Sequence, residues 1–343
     1  MNPSPAAGHD ARLEALRAWL TTVLAGASFT LAPASADASF RRYFRVTFDG
    51  GTRIAMDAPP EREDCRPFVR VAQLMREAGM HVPEVIAGDV DRGFLLLTDL
   101  GDTTYLRALT GANADALFAD ATGALIAWQC AGRPGVLPPY DRALLQREMD
   151  LFPEWYVKRH LALTLSDAQR ETLAGVTGLL ADSALAQPAV YVHRDYMPRN
   201  LMLSEPNPGV LDFQDAVYGP ITYDVASLFR DAFISWPEER VLDWTVRYWE
   251  RARRAQLPVD ADFGAFYRAF EWMGLQRHLK VLGIFARIRY RDGKPGYLED
   301  APRFLAYAHA VCGRYAPLAP LARLLDELEQ RPPQAGHTFR GAQ

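Results

Sequence analysis

The chain has 343 residues, 49% of them hydrophobic and 23% charged, and a formal net charge of −4. That composition belongs to a globular protein with a core large enough for two lobes. Its mild acidity excludes any global electrostatic case for nucleic acid or an anionic membrane surface.

Three cysteines, Cys65, Cys130 and Cys312, are far apart and form no C-x-x-C. They read as reduced thiols of a cytoplasmic protein, neither staples nor zinc ligands. In chain order, Ala11–Leu24 places Leu13, Leu16, Leu20 and Leu24 on one face and is interrupted by Arg12, Glu14 and Arg17. That predicts an amphipathic helix; a signal-peptide core would not tolerate the charges. Phe40–Phe48 and Arg53–Met56 read as strands, Glu63–Ala78 as a helix closed by Gly79, and Val85–Gly88 and Phe94–Thr98 as further strands. The polar run Thr98-Asp99-Leu100-Gly101-Asp102 comes next. It reads either as an ordinary linker or as a hinge whose backbone meets the edge of an adenine. From Thr104 onward nearly everything reads helical except one hairpin. The Pro/Gly-rich segment Arg331–Gln343 reads as a disordered tail. No apolar run reaches membrane-spanning length. The expected division is a lobe of 1–98, a lobe of 99–330 and a tail of 331–343.

The segment Val190–Phe213 carries the chemistry. His193-Arg194-Asp195 is followed five positions after the Asp by Asn200, and twelve later by Asp212-Phe213-Gln214. Phosphoryl transfer to a hydroxyl needs a carboxylate that accepts or orients the hydroxyl proton, and oxygen ligands that hold Mg²⁺ on nucleotide phosphates. Asp195, Asn200 and Asp212 supply these in the order that kinases use. Leu201–Leu203 and Val210-Leu211 flank the turn-forming Ser204–Gly209, so the stretch reads as a β-hairpin. Folding it places Asn200 and Asp212 near each other at its open end. Read singly, each residue is an ordinary solvated side chain; the complete string is what points to a kinase. His193 is expected to pack under the loop. Asp224, in the first turn of a helix begun by Tyr223, either reaches back to the loop amides or simply favours the helix N-terminus.

On these motifs, over roughly residues 10–325, the chain resembles the aminoglycoside phosphotransferase family of small-molecule kinases. The resemblance implies an α+β, two-lobed protein-kinase-like fold, with a small β-rich N-lobe and a larger, mainly helical C-lobe. Ser35–Arg45, Met56–Glu61 and His193–Phe213 are similar to the branch that phosphorylates amino sugars recycled from the bacterial cell wall. That implies ATP and Mg²⁺ as cofactors, Asp195 as catalytic base, and Asn200 and Asp212 as metal ligands. It also implies a nucleotide lid around Ser39, Phe40, Arg41 and Arg42, and a sugar 1-phosphate made from N-acetylmuramate or N-acetylglucosamine. Two departures stand out. Ala36–Tyr43 contains no glycine, and Ile54-Ala55-Met56-Asp57 lacks the phosphate-pairing lysine. The missing cation must come from Arg41, Arg42 or Arg45, or the chain is a nucleotide-binding pseudokinase.

Asp224 follows only twelve positions after Asp212, and no A-P-E follows, so there is no platform for a peptide and the acceptor is small. Gly274–Lys294 carries Arg277, Lys280, Arg287, Arg289, Arg291 and Lys294 against Asp292. Such a surface attracts an acidic sugar and repels the cationic acceptors of aminoglycoside or amino-alcohol kinases. Equally, it is the solvated face of an amphipathic helix. Gln214, Tyr218 and Arg277 are the substrate candidates. The chain is read as a monomer with a sugar as its partner.

Overall fold

A computed structural model describes residues 10–35 and 40–330. Ser39 and the tail 331–343, both singled out in the sequence, lie outside the described residues. The elements are α1 (Ala11–Val23), β1 (Phe29–Ser35), β2 (Arg42–Phe48), β3 (Gly51–Asp57), α2 (Arg66–Glu77), β4 (Val85–Asp89), β5 (Phe94–Thr98), α3 (Tyr105–Ala108), α4 (Ala114–Cys130), α5 (Arg142–Met149), a π-helix (Phe152–His160), α6 (Asp167–Leu185), β6 (Ala189–Val192), β7 (Leu201–Met202), β8 (Gly209–Val210), β9 (Val217–Pro220), α7 (Tyr223–Phe229), α8 (Glu238–Arg254), α9 (Phe263–Asp292), α10 (Ala301–Arg314) and α11 (Ala319–Leu328). They form two compact units. One contains the described residues up to Thr104 together with Leu201–Asp215; the other contains Tyr105–Asn200 and the described residues from Ala216 onward.

The first unit is built on an antiparallel sheet of order β1-β2-β3-β5-β4. Its register decides which side chains share a face. Arg42 pairs with Asp57, Phe44 with Ala55 and Ala55 with Leu96, and directly opposed residues point the same way. That face packs on α1: Leu16 and Leu20 bury against Val46, Ala55, Phe94 and Leu96. Each such burial contributes about 1.5–3 kcal/mol. Asp10 caps α1, accepting from Leu13 N at 3.0 Å. Tyr43, Arg45, Met56, Leu95 and Leu97 alternate onto the opposite face.

The hairpin of β7 and β8 belongs to this unit, although the sequence placed it with the helical lobe. His81 and Thr103 bind it there. Val210 N donates to His81 O and Leu203 N to Thr103 O, both at 2.8 Å, and His81 Nδ1 lies 2.6 Å from Pro206 O.

The second unit is helical around the thirty-residue α9, which packs against the π-helix, α5, α6, α7, α8 and α10. From Met273 to Ala286 it is buried on nearly every side. At Gly283 an added Cβ would lie 2.3 Å from the Leu151 carbonyl carbon, so only glycine admits the π-helix this closely. The sequence missed one piece here: β6 and β9 pair in antiparallel register, Ala189 with Pro220 through Val192 with Val217. Each spans four residues, too short for a period-2 pattern to show.

Candidate active site

In the second unit, β6 delivers the chain into the loop His193–Asn200. Arg194 has φ +77, a left-handed backbone that L-residues adopt only when their surroundings hold them there. Several bonds do so. The fully buried Asp224, in the first turn of α7, accepts from His193 N at 2.6 Å and Arg194 N at 3.0 Å. Burial pushes the Asp224 carboxyl up, opposed by His193 and by these amides. His193 is also fully buried, and its Nδ1 accepts from Asp195 N at 3.2 Å. Asn200 Nδ2 donates to Asp195 O at 2.9 Å. All these bonds run to main-chain atoms of Asp195 and its neighbours, and none uses the Asp195 carboxylate. That bond uses the Asn200 amide nitrogen and not its Oδ1.

Behind the loop lies a buried charge cluster in which Arg277 and Lys280, visible in the sequence, meet Glu148, which was not. Arg277 donates to Arg194 O at 2.7 Å and places its guanidinium 4.6 Å from the Tyr223 ring centroid. Glu148 pairs with Arg194 at 2.5 Å and Lys280 at 2.9 Å, and accepts from Tyr140. Glu148, Arg277 and Lys280 are all 5–6% exposed. Arg277 and Lys280 therefore do not form part of a solvated basic face; they are struts to the loop. What marks them is their place: α9 is buried on nearly every side over this stretch, where a charged residue needs a partner. Glu148 is placed similarly, since it shares the buried stripe of α5 with Leu145 and Met149. The substrate candidate Tyr218 is half-buried on β9, edge-on to Tyr191.

In the first unit the two neighbouring arginines part company. Arg42 binds Asp57 and Asp10, with Arg12 completing the shell around the fully buried Asp57. These groups sit on the α1 face. Arg41 lies 3.6 Å from the Asp212 carboxylate. Gln214 Nε2 donates to the same carboxylate at 3.0 Å, and Phe213 packs against Phe68 of α2 with ring centroids 4.7 Å apart and planes tilted by 35°. Asp212 itself has φ +62. The ladder pair Leu201↔Val210 closes one residue after Asn200 and two before Asp212. Phe40 is exposed, under the guanidinium of Arg62. Arg45 forks onto Asp99 at 2.7 and 3.1 Å and reaches Gly101 O at 2.8 Å. Burial favours the neutral Asp99 acid, yet Arg45 and Gly101 N bring the carboxyl below its usual range. Thr98, Asp99 and Leu100 line a cavity of about 390 Å³ with Met80, His81 and Ser204.

The model of the phosphotransferase enzyme family matches residues 30–258. A Pseudomonas putida protein named N-acetylmuramate/N-acetylglucosamine kinase is 56% identical over 334 residues, covering 94% of this chain and 98% of that one. A Neisseria meningitidis protein of the same name is 53% identical, covering 91% and 95%. Among solved structures, the ADP-bound aminoglycoside phosphotransferase APH(2'')-Ib superposes with a TM-score of 0.57 at 16% identity, over 87% of this chain and 97% of that one, a likeness of fold. By the extent of the family match and the identity of these relatives, the chain belongs to the phosphotransferase enzyme family.

Proposed function

We propose that the protein is an ATP-dependent amino-sugar kinase that phosphorylates the anomeric hydroxyl of N-acetylmuramate and N-acetylglucosamine. The observation that carries this reading is identity above half, over nearly the whole chain, to relatives named as that kinase. The loop geometry supports the chemistry. Asp195 is held through its backbone, which leaves its carboxylate to take the acceptor's proton. The terminal phosphoryl group leaves the bridging oxygen of ADP as the sugar oxygen bonds to phosphorus, and the hydroxyl proton passes to Asp195 or solvent.

The donor set fits a magnesium ion carried by nucleotide. Asn200 Oδ1 and the Asp212 carboxylate are hard oxygens, and Mg²⁺ asks for one or two carboxylates alongside phosphates and water. When bound, the ion neutralises charge on the phosphates. Arg41 is the cation that takes over from the absent lysine. Of the three arginines considered, Arg42 is tied to the α1 face and Arg45 to the hinge, whereas Arg41 is beside Asp212. The hinge Thr98–Leu100 is the adenine contact, the N-terminal lobe is the nucleotide lid, and the helical lobe seats the sugar. No described helix is long and apolar enough to cross a membrane. In this reading the protein works on a small sugar, as a monomer, in the cytoplasm.

Phosphorus NMR of the product from N-acetylmuramate and ATP tests the reading. A new phosphomonoester signal coupled to the anomeric proton is the expected result. A signal coupled to another ring proton moves the acceptor hydroxyl, and ATP left intact across a sugar panel makes the protein a nucleotide binder.

A further inference from the structure

We propose that Glu148 is a positioning residue for catalysis: a built-in anion that, through Arg194, keeps the Asp195 loop in its working shape without any activating modification. The proposal rests on the kinase reading above. In protein kinases, phosphorylation orders the activation loop through new arginine–phosphate pairs. Here Asp224 follows Asp212 by only twelve positions, so the segment that would carry such a phosphate is missing. The arginine beside the catalytic aspartate remains, and an internal carboxylate meets it. Arg194 Nη2 lies 2.5 Å from Glu148 Oε1.

The geometry suits a permanent support. Glu148 comes from α5 and Lys280 from α9, two elements packed on each other. Tyr140 donates to the second carboxylate oxygen, which Gln276 also reaches at 3.3 Å. Lys280 goes on to Tyr223 OH at 2.9 Å, and Tyr223 opens the helix that carries Asp224. Burial would favour the neutral acid, but Lys280 and Arg194 bring the Glu148 carboxyl down to about 2. It is therefore ionised wherever the enzyme works. Arg194 is thus held on its side chain by Glu148, on its amide by Asp224 and on its carbonyl by Arg277. Three anchors on one residue fix a left-handed backbone immediately before the base.

The test uses the full chain with N-acetylmuramate and MgATP, and compares wild type, Glu148→Gln, and Glu148→Gln combined with Lys280→Met. Glu148→Gln keeps the shape but removes the carboxylate that Lys280 and Arg194 share. Its kcat should fall 10–100-fold while KM for both substrates stays within about threefold. Amide exchange at 193–197 should accelerate. The double variant removes one buried charge of each sign and restores the net charge of the cluster, so it should recover part of the melting temperature lost in Glu148→Gln while kcat stays low. The proposal is overturned if kcat in the double variant returns to within twofold of wild type, because Glu148 would then merely neutralise Lys280. Unchanged exchange at 193–197 in both variants overturns it as well. Should wild type transfer no phosphoryl group to any sugar, the kinase reading fails, and the exchange measurement still decides the fate of the loop support.

Discussion

Two buried carboxylates, one in each compact unit, solve the same electrostatic problem for different ends. Asp57 in the first unit and Glu148 in the second are each almost fully enclosed, and each is matched by two cations. Asp57 and its partners Arg12 and Arg42 fasten α1 to the sheet, and Arg42 goes on to the helix-capping Asp10. Glu148 and its partners fasten the loop that carries Asp195. Both pairs are expensive to break, since a buried charge left without its partner costs about 3–5 kcal/mol. What differs is the backbone at the far end. One holds a helix on a scaffold, and the other holds the loop of the proposed base, so stability and turnover should separate.

Substitutions can break that comparison. Asp195→Ala should have the largest effect, lowering kcat about 10²–10⁴-fold with nucleotide affinity nearly unchanged by titration calorimetry; full activity would remove Asp195 from the mechanism. Next in size, Asp57→Leu should cost about 1.5–3 kcal/mol of stability, the two arginines left behind being about one-third exposed; denaturant unfolding reads this, while kcat of the folded fraction stays within about twofold. A large loss of kcat there would make the two carboxylates functionally alike. Arg41→Ala should raise KM for MgATP about tenfold, near 1.4 kcal/mol, whereas Arg42→Ala should act on the melting temperature instead. A reversed pattern would exchange their roles.

The smallest expected effect concerns pH. Burial pushes the Asp231 carboxyl up to about 6, against the amides of Phe233 and Ile234 that favour its ionised form. Between its unfolded value near 4 and about 6, the folded protein holds more protons than the unfolded one. This group's contribution therefore falls as pH rises through that window. Asp231→Asn should flatten the change in melting temperature between pH 4 and pH 6; an unaltered slope would mean that Asp231 titrates normally.

The string proposed to carry the chemistry was legible in the sequence, because phosphoryl transfer demands particular side chains and Asp195, Asn200 and Asp212 supply them within a short span. The core strands β2, β3 and β5 were equally legible from their apolar runs, while β1 and the pair β6–β9 were not. Arg41 and Arg42 could not be told apart. Arg42 opens β2 and Arg41 lies just before it, and only the register Arg42↔Asp57 fixes which one meets α1. Gln214 is a substrate candidate in the sequence, and its hydrogen bond to Asp212 is a contact that only the fold reveals. Glu148 went unnoticed because its meaning lies in Lys280 and Arg194, distant in sequence. Arg277 and Lys280 were visible as charges, but their destination depended on α9 being enclosed by its neighbours.

The most direct test of the account is a crystal structure with Mg²⁺ and a nonhydrolysable ATP analogue. The account predicts Asn200 Oδ1 and an Asp212 carboxylate oxygen at about 2.0–2.1 Å from the metal, the Arg41 guanidinium on a phosphate, and the Asp195 carboxylate facing the terminal phosphorus. A metal bound by other residues, with Asp195 turned away from the terminal phosphate, would contradict it.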